Sequence, residues 1–457
     1  MMIKKIVFLF MGIIIITLIG FIFINKRDMR NNYSNKEFDS SKKINGYVIF
    51  RNDNSVTIQN KKNVIYTLNT SDDIKVGQYV QIGYSGKLNN DKEVQDVKIV
   101  GYKNLNSKAN LLNTWNDNGI FSKYYDKALN SLKRMSLQDK IGQLLLVRYH
   151  DNDTLGVNAL KEYKLGGYVF FGKDFKNKNK NDVEVMIKKL QAVSSIPIIT
   201  AVDEEGGTVV RVSSNKKLVQ EKFKSPSEIY KEGGFEAIKK DTITKSEVLH
   251  ELGLNLNLAP VVDVSVNSSD YMYSRALGLD SSLTSEYAKQ VIEASHGTSV
   301  SYTLKHFPGY GNNVDTHTGS SIDKRSFEEI VSNDLPPFEA GIKAGAEAVL
   351  VSHNVVSSVD DNNPASLSKG VHNLLRSRLS FTGIIMTDDL DMGATSEIKN
   401  NVVKAIEAGN DMMIVTDYKE SVEAIDKAIK DGQISENLID KLAFRVIAWK
   451  YYKGLLK

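Results

Sequence analysis

The sequence predicts an α/β protein whose larger part is a (β/α)8 TIM-type barrel, preceded by an N-terminal transmembrane helix and a small all-β domain. Three observations predict this arrangement. The 457-residue chain opens on a long uncharged apolar run, continues with short β-branched and aromatic runs, and then alternates strand-like with helix-like segments. We place the membrane anchor at residues 1–30, a linker at 31–45, the β domain at 46–103 and the barrel domain at 104–457.

The first element is the apolar run of residues 6–24, which contains no charge and is preceded by Lys4 and Lys5 and followed by Lys26 and Arg27. Its length suits a helix that crosses a bilayer. A cleaved signal peptide is the alternative, but no small-x-small cleavage site follows the run. Basic residues flank both ends, so the charge rule for membrane orientation gives no clear direction.

Composition excludes several classes of protein. The net charge is +4, from 59 basic and 55 acidic residues, which is too balanced to indicate a nucleic-acid partner. The chain contains no cysteine. The sequence therefore excludes disulfides, thiolate metal sites, a cysteine nucleophile and a lipid-bearing cysteine.

The second element follows a polar linker rich in Asn, Ser and Lys. Short runs rich in β-branched and aromatic residues are separated by Asn, Asp and Gly, which is typical of strands and turns. The runs are residues 46–50, 55–59, 64–68, 79–82 and 94–100. About five strands in some sixty residues predict a small barrel or sandwich. It could be a spacer or a wall-binding module, and the sequence does not choose between them.

The third element begins after a predicted helical connection over residues 111–132. Eight mostly apolar runs are spaced widely enough for crossover helices, which is typical of parallel strands buried on both faces. The runs are residues 142–147, 167–171, 197–202, 254–258, 301–304, 348–351, 383–386 and 411–415. A (β/α)8 barrel accounts for this pattern most simply.

Polar side chains lie just past six of these runs, although any one of them alone could be a helix N-cap. They are Asp203, Asp263, Lys305 with His306, His353, Asp388 and Asp417. Functional residues of such barrels lie at the carboxyl ends of the strands. The sequence therefore predicts a functional site at this rim.

One motif at the rim is Lys305-His306-Phe307-Pro308-Gly309, which is followed by Asp315-Thr316-His317. A histidine titrates near neutral pH, so it can protonate a leaving oxygen and later take a proton from water. A carboxylate two residues away can fix its tautomer. An Asp-x-His pair by itself is more often exposed loop sequence, but beside the first motif it indicates a proton shuttle.

A second motif is the apolar run 383–387, which ends in Asp388 and Asp389. An aspartate at the carboxyl end of a barrel strand suits a nucleophile. Neighbouring strand residues point to opposite faces, so one of the two aspartates is expected to face the site. Strand geometry alone does not say which one.

From about Met135 to near the carboxyl terminus, these motifs resemble the glycoside hydrolase family 3 barrels, and within them the β-N-acetylglucosaminidases of the NagZ type. Residues 374–378 and 383–391 resemble the family's nucleophile signature. The resemblance implies that Asp388, which directly follows Thr387, is the nucleophile.

The same resemblance assigns the proton shuttle and the sugar-binding residues. It implies that His317 is the general acid/base and that Asp315 orients it. The segment 203–207, with Arg211 eight residues after Asp203, resembles the family's Asp-Gln-Glu-Gly-Gly segment. The implied sugar-binding set is Asp203, Arg211, Arg275, Lys305 and His306. Charged hydrogen bonds suit this task because they are stronger and more directional than neutral ones.

The sequence departs from the family pattern at three positions. Glu204 replaces Gln, Thr208 replaces Arg, and Tyr310 stands where histidine is common. Because of these departures, the resemblance does not indicate which leaving group the site prefers.

The resemblance implies a retaining exo-β-N-acetylglucosaminidase that removes terminal β-linked GlcNAc from peptidoglycan-derived or related glycans through a covalent glycosyl-aspartate. A β-glucosidase of the family is an alternative, although it normally needs a second domain for its acid/base carboxylate. Phosphorolysis is another, because a neutral histidine repels an incoming phosphate less than a carboxylate does. An inactive wall-binding protein would be expected to have lost Asp388, Asp315 or His317, and all three are present.

We expect no metal and no cofactor, because His306, His317 and His353 lack the i, i+4 spacing of a helical zinc pair. The expected partners are a carbohydrate substrate and the membrane. A peptidoglycan substrate favours a catalytic domain outside a bacterial cell membrane, while a cytoplasmic orientation is left open. We also expect the loop that carries His317 to close over the substrate.

Overall fold

The structure is a computed structural model that describes residues 38, 41–51, 54–72, 74–89, 94–105, 115–150, 152–311, 313, 316 and 321–457. The predicted anchor and most of the predicted linker lie outside these residues. Within the described ranges, no helix is both long and apolar enough to cross a membrane. The anchor therefore stays a prediction.

Six strands of the described residues form the amino-terminal sheet: β1 (Lys42–Arg51), β2 (Ser55–Gln59), β3 (Ile65–Asn69), β4 (Tyr79–Gly86), β5 (Val94–Gln95) and β6 (Val97–Asn104). Their order is β5-β3-β2-β1-β4-β6, with β3 and β5 parallel and the other neighbours antiparallel. Only Asp96 separates β5 from β6, yet these strands form opposite edges of the sheet. Since one residue spans about 3.5 Å, the two edges meet and the sheet curls into an open barrel.

This sheet differs from the sequence expectation in two ways. The fifth predicted run is divided at Asp96 into two strands, and β1 begins at Lys42, inside the predicted linker. Alternate side chains of β2, β3 and β4 nonetheless point to one side of the sheet, where Val48, Val64 and Ile74 join them. They form a separate apolar core of Val48, Val56, Ile58, Val64, Tyr66, Leu68, Ile74, Val80 and Ile82.

Ten further strands follow in the described part of the chain: β7 (Leu145–Arg148), β8 (Gly167–Phe170), β9 (Ile199–Val202), β10 (Leu256–Asn257), β11 (Ser301–Phe307), β12 (Ile322–Asp323), β13 (Ala348–Val351), β14 (Val355–Val356), β15 (Ile384–Asp389) and β16 (Met412–Val415). Eight of them close a parallel barrel in the order β7-β8-β9-β10-β11-β13-β15-β16, and β12 pairs with β14 outside it. Each barrel strand neighbours the next one along the chain. The predicted (β/α)8 barrel is confirmed.

The α-helices of the described residues are α1 (Tyr125–Leu132), α2 (Leu137–Gln143), α3 (Asp153–Tyr163), α4 (Gly172–Phe175), α5 (Lys180–Val193), α6 (Pro226–Glu251), α7 (Ser281–Ser295), α8 (Phe327–Glu329), α9 (Leu335–Lys343), α10 (Lys369–Asn373), α11 (Asn401–Ala408), α12 (Tyr418–Lys430) and α13 (Glu436–Tyr452). Several begin at capping boxes, such as Ser136 with Asp139 on α2 and Ser225 with Glu228 on α6. The expectation of a strand from residue 142 is wrong for its first residues, because Gly142 and Gln143 end α2. An apolar run alone does not separate a helix end from a strand start.

Helix α13 runs across the amino end of the barrel. Its side chains bond groups that lie just before the strands: Arg445 donates to the carbonyl of Thr382 at 2.9 Å, and Trp449 donates to Glu347 at 2.6 Å. Lys450, also on α13, donates to the carbonyl of Gly166 at 3.0 Å. This end of the barrel is thereby closed, and the opposite end is the one available for a site.

The small sheet packs against the side of the barrel where α13 begins. The side chain of Asn373 accepts from the backbone N–H of Ile65 at 2.8 Å and donates to its carbonyl at 2.6 Å. On α13, the amide of Asn437 donates to the carbonyl of Gly77 at 3.0 Å, and Lys441 donates to the side chain of Gln59 at 3.1 Å. Backbone and buried polar groups of both parts are satisfied across this contact, which fixes their relative position.

Candidate active site

A cavity of about 480 Å³ opens at the carboxyl ends of the barrel strands. The charged side chains and histidine that line it are Arg148, Asp203, Arg211, Arg275, Lys305, His306, Asp388, Asp389 and Asp391. All five residues of the predicted sugar-binding set, together with the predicted nucleophile, are therefore brought into one cavity. They come from positions as far apart as Asp203 and Asp388.

Lys305, near the end of β11, is the most buried cation of the cavity, with 2% of its side chain exposed. Its Nζ donates to Asp203 Oδ1 at 2.7 Å and lies 2.7 Å from Glu205 Oε1. Burial alone would lower the pKa of Lys305, but these two carboxylates raise it above its ordinary value. The ammonium group is therefore held charged.

Glu205 pairs with the second buried cation, Arg275. The guanidinium donates to both carboxylate oxygens, Nη2 to Oε1 at 2.7 Å and Nε to Oε2 at 3.0 Å. Burial would raise the pKa of Glu205, yet Arg275 and Lys305 hold it well below its ordinary range. No role was predicted for Glu205 from the sequence, although its position in the segment 203–207 could have indicated one.

His306 is oriented by Asp263, which follows β10. Asp263 Oδ2 lies 2.8 Å from His306 Nδ1, and Asp263 Oδ1 accepts from the backbone N–H of Tyr310 at 2.7 Å. The other ring nitrogen, Nε2, lies 3.3 Å from Arg275 Nη2. Because a guanidinium only donates, Nε2 accepts and the ring proton on Nδ1 is donated to Asp263. Asp263 thus fixes the tautomer of a cavity-lining histidine.

Lys305 and His306 both line the cavity although they are neighbours on one strand. The pairing between β11 and β13 shifts register between Leu304 and Phe307. At such an irregularity the strict alternation of faces breaks down.

Asp388 lies near the end of β15, where its Oδ1 accepts from the backbone N–H of Asp389 at 2.8 Å. Burial would raise the pKa of Asp388, but His353, His306 and Lys305 lower it below its ordinary value. The carboxylate is therefore ionised at neutral pH, as a nucleophile requires.

Asp389 also lines the cavity, contrary to the expectation that only one of the two aspartates would face the site. The pairing of β15 with β16 shifts register between Met386 and Asp389, which turns both side chains toward the opening. Burial raises the pKa of Asp389 to about 6. The two neighbouring acids therefore differ in their readiness to ionise.

His353, at the end of β13, supports Asp388 from behind the cavity. Its Nε2 donates to the carbonyl of Asp389 at 2.9 Å, and its Nδ1 lies 2.7 Å from Ser366 Oγ. The backbone of Asp389 thus connects His353 on one side with the carboxylate of Asp388 on the other. The sequence placed His353 at the rim without giving it a role.

The predicted proton shuttle, Asp315 and His317, lies outside the described residues, so its roles stay predictions. Thr316 between them is described and buried. Its backbone N–H donates to the hydroxyl of Tyr310 at 2.9 Å, and that hydroxyl donates to Thr316 Oγ1 at 2.9 Å. Tyr310, one of the departures from the family pattern, therefore bonds the centre of the Asp-x-His motif.

The second departure, Glu204, is buried beneath the site and is absent from the cavity lining. Its carboxylate accepts from the backbone N–H groups of Arg211, Val212 and Ser213 at 2.8, 2.7 and 3.2 Å, and from the Ser213 hydroxyl. It shapes the loop that carries Arg211. The third departure, Thr208, does line the cavity.

One of the polar residues predicted at the rim has a structural role. Asp417 caps α12, where its carboxylate accepts from the backbone N–H groups of Lys419 and Glu420, both at 3.0 Å. Within the part of the chain that the structure describes, no three His, Asp or Glu side chains are grouped as metal ligands would be.

Comparison with known proteins gives the family. Residues 136–449 match the model of the glycosyl hydrolase family 3 N-terminal domain. The chain belongs to glycosyl hydrolase family 3. The prediction of a glycoside hydrolase is thereby confirmed at the level of the family.

Relatives of this family 3 chain agree with the predicted NagZ-type branch. A β-hexosaminidase of Xanthomonas oryzae pv. oryzae is 28% identical over 262 residues, which are 56% of this chain and 78% of that protein. A β-hexosaminidase of Xylella fastidiosa is 28% identical over 300 residues, 64% of this chain and 88% of that protein.

Solved structures agree as well. The family 3 β-N-acetylglucosaminidase of Paenibacillus sp. aligns with a TM-score of 0.66 and 26% identity over 70% of this chain. The alignment spans 63% of the Paenibacillus chain, less than two thirds of its length. LpqI of M tuberculosis aligns with a TM-score of 0.64 and 26% identity, over 70% of this chain and 95% of its own.

Proposed function

We propose that this protein is a retaining exo-β-N-acetylglucosaminidase that removes terminal β-linked GlcNAc residues. The observation that carries the proposal is the convergence of Asp388 with Asp203, Arg275, Lys305 and His306 in one cavity. An ionised carboxylate beside buried cations and an oriented histidine suits the binding of a sugar and attack on its anomeric carbon. Relatives named as β-hexosaminidases and β-N-acetylglucosaminidases support this choice of sugar.

The proposed reaction is a double displacement. A carboxylate oxygen of Asp388 attacks the anomeric carbon, and the departing glycosidic oxygen takes a proton from His317. His317 then takes a proton from water, the water oxygen attacks the same carbon, and the bond to Asp388 breaks. The product keeps the β configuration, and Asp388 and His317 return to their starting protonation states.

The test is hydrolysis of 4-nitrophenyl β-N-acetylglucosaminide by the full-length chain, beside the Asp388→Ala and His317→Ala variants. We expect turnover by the parent and its loss in the Asp388 variant. The His317 variant should keep the first step on this activated substrate, because nitrophenolate leaves without a proton, and should accumulate the glycosyl-enzyme. Intact-protein mass spectrometry would detect that adduct.

The same assay separates the alternatives. Turnover of the β-glucoside but not of the N-acetylglucosaminide would reject the proposed sugar. Formation of the sugar phosphate in phosphate buffer would replace hydrolysis by phosphorolysis. Full activity of the Asp388→Ala variant would reject the proposed nucleophile.

We further propose that the substrates are peptidoglycan-derived glycans and that the apolar run 6–24 anchors the protein in a bacterial membrane, with the catalytic domain outside. The polar linker and the docked β domain would then separate the barrel from the membrane surface. Cell fractionation followed by protease treatment of intact cells tests this arrangement. Recovery in the soluble fraction, or protection from protease, would contradict it.

A further inference from the structure

Tyr310 lies between the end of β11 and the Asp-x-His motif, and its side chain is 3% exposed. Its backbone N–H donates to Asp263 Oδ1 at 2.7 Å, and its carbonyl accepts from the side-chain amide of Asn313 at 2.8 Å. The ring packs in a small apolar cluster whose other members are Val261, Met272 and Ala276. Both the backbone and the ring of Tyr310 are therefore fixed.

The hydroxyl of Tyr310 bonds two polar groups of Thr316, six residues further along the chain. It accepts from the backbone N–H of Thr316 and donates to Thr316 Oγ1, both at 2.9 Å. Burial raises the pKa of the phenol to about 12, so the hydroxyl keeps its proton, and with it this donor, at neutral pH. Both residues line the cavity.

Thr316 is also bonded from the strand that carries the predicted nucleophile. Its carbonyl accepts from the backbone N–H of Ala394 at 3.3 Å, and Ala394 lies on the loop after β15, the strand of Asp388. The N–H and the carbonyl of Thr316 are thus bonded to segments that follow two different barrel strands. Since both of its backbone polar groups have partners and the residue is buried, its place at the cavity is fixed.

Thr316 separates Asp315 from His317 in the chain, and Cα atoms of adjacent residues are about 3.8 Å apart. Fixing Thr316 therefore limits how far the Cα atoms of Asp315 and His317 can move relative to Asp388. A general acid must lie within hydrogen-bond reach of the oxygen that it protonates, and a small displacement lowers the rate of that proton transfer. The hydroxyl of Tyr310 is thus placed to influence the proton shuttle.

We propose that Tyr310 is a positioning residue for the general acid/base: its hydroxyl holds Thr316 and thereby sets the place of the Asp-x-His motif at the cavity. This inference rests on the proposed function and adds a residue that acts on the proton transfers through Thr316. Tyr310 stands where histidine is common, so the contact is a property of this chain that the resemblance did not imply.

The test compares two substrates that differ only in their need for a proton. 4-Nitrophenyl β-N-acetylglucosaminide releases a weak base, which leaves without one, whereas the phenolate of phenyl β-N-acetylglucosaminide is a stronger base and is helped by protonation. We measure kcat/KM, which reports the first displacement, for both substrates with the full-length parent and with Tyr310→Phe.

In Tyr310→Phe, kcat/KM for the phenyl glycoside should fall about tenfold, as expected when part of the contribution of a general acid is lost. For the nitrophenyl glycoside it should stay within about twofold of the parent value. The kcat and KM of the nitrophenyl glycoside should fall together, because the second displacement also uses His317. A variant that only loosens the barrel would lower kcat/KM equally for the two substrates.

Tyr168→Phe is the matched control. Tyr168 on β8 is also 3% exposed, its hydroxyl donates to the carbonyl of Gly156 at 2.8 Å, and it is absent from the cavity lining. This variant removes a buried, hydrogen-bonded hydroxyl far from the motif in the chain. The ratio of the two kcat/KM values should remain that of the parent.

A second variant, Thr316→Val, removes Oγ1 but keeps the backbone N–H that donates to Tyr310. Its kcat/KM for the phenyl glycoside should fall less than that of Tyr310→Phe. The double variant should lose little more than Tyr310→Phe alone, because both substitutions break the same contact. If the two losses instead multiply, the residues act independently and the inference is rejected.

The outcomes separate this inference from the function on which it rests. An equal fall of kcat/KM for both substrates in Tyr310→Phe, or no fall for either, would overturn the positioning role and leave the glycosidase intact. Turnover of neither substrate by the parent would reject the proposed function and this inference with it.

Discussion

Two buried lysines, at opposite ends of the barrel, have opposite pKa shifts. Lys305 at the carboxyl end is 2% exposed and Lys450 at the amino end is 0% exposed. Lys305 contacts the carboxylates of Asp203 and Glu205, both at 2.7 Å, and its pKa is raised. Among the described residues, Lys450 donates only to the neutral oxygens of Gln143 and Gly166, at 2.6 and 3.0 Å, and burial lowers its pKa to about 7.

The difference shows that burial alone does not decide whether a lysine stays charged. At the carboxyl end, the acid partners keep the ammonium group of Lys305 charged. At the amino end, the long side chain of Lys450 helps to close the barrel. A charge on this side chain is destabilising because the group is buried. One end is arranged for chemistry and the other for stability, as the barrel architecture leads us to expect.

The largest expected effect separates chemistry from stability. The Asp388→Asn variant should lose about 10⁴-fold or more in kcat, because an amide cannot form the glycosyl ester. The midpoint of thermal unfolding should stay close to that of the parent. Hydrolysis of the nitrophenyl glycoside and a melting curve are the measurements. A strongly lowered midpoint with residual activity would place Asp388 in the fold and not in the chemistry.

The next effect contrasts the two lysines directly. Lys305→Met leaves Asp203 without its ammonium partner and weakens the charge balance around Glu205, so we expect a loss of about 3 kcal/mol in the free energy of unfolding. The same substitution at Lys450 removes no ion pair and should cost much less. Denaturant unfolding of both variants at pH 7 measures the difference. Equal losses would contradict the distinction between the two ends.

A smaller effect is expected behind the nucleophile. In His353→Leu, one of the interactions that lower the pKa of Asp388 is lost, so that pKa should rise and the acid limb of the kcat/KM profile should move to higher pH. The hydrogen bond to the Asp389 carbonyl is lost as well. His353→Gln retains a donor for this carbonyl and should therefore lose less kcat than His353→Leu. An unmoved acid limb in both variants would exclude electrostatic support of Asp388 by His353.

The smallest effect is a pH slope at the amino end. The pKa of Lys450 is about 7 in the folded chain and 10.5 in its ordinary state. Between these values the unfolded chain binds more protons, so folding stability contributed by this group rises with pH. The parent should gain up to about 1 kcal/mol per pH unit relative to Lys450→Met between pH 7 and pH 9. Denaturant unfolding across this range checks the slope, and parallel curves for the two proteins would contradict it.

The sequence alone predicted the barrel through its apolar runs, because buried parallel strands require them locally. Each of the eight runs overlaps one of the strands that close the barrel, with errors confined to the ends, as at Gly142 and Gln143. The positions just past the runs also identified Asp203, Lys305, His306 and Asp388, which line the cavity. Asp417 shows the limit of that rule, since a strand-end aspartate can equally cap the following helix.

Only the tertiary structure decided how these residues work together. The pairs Glu205 with Arg275 and Lys305 with Asp203 join positions 70 and 102 residues apart, which no local pattern predicts. The register shifts in β11 and β15 turned neighbouring side chains into the same cavity, where strand alternation predicted opposite faces. Local sequence determines which segments are buried as strands. The direction and charge of each side chain at their ends depend on partners that only the closed barrel brings within contact distance.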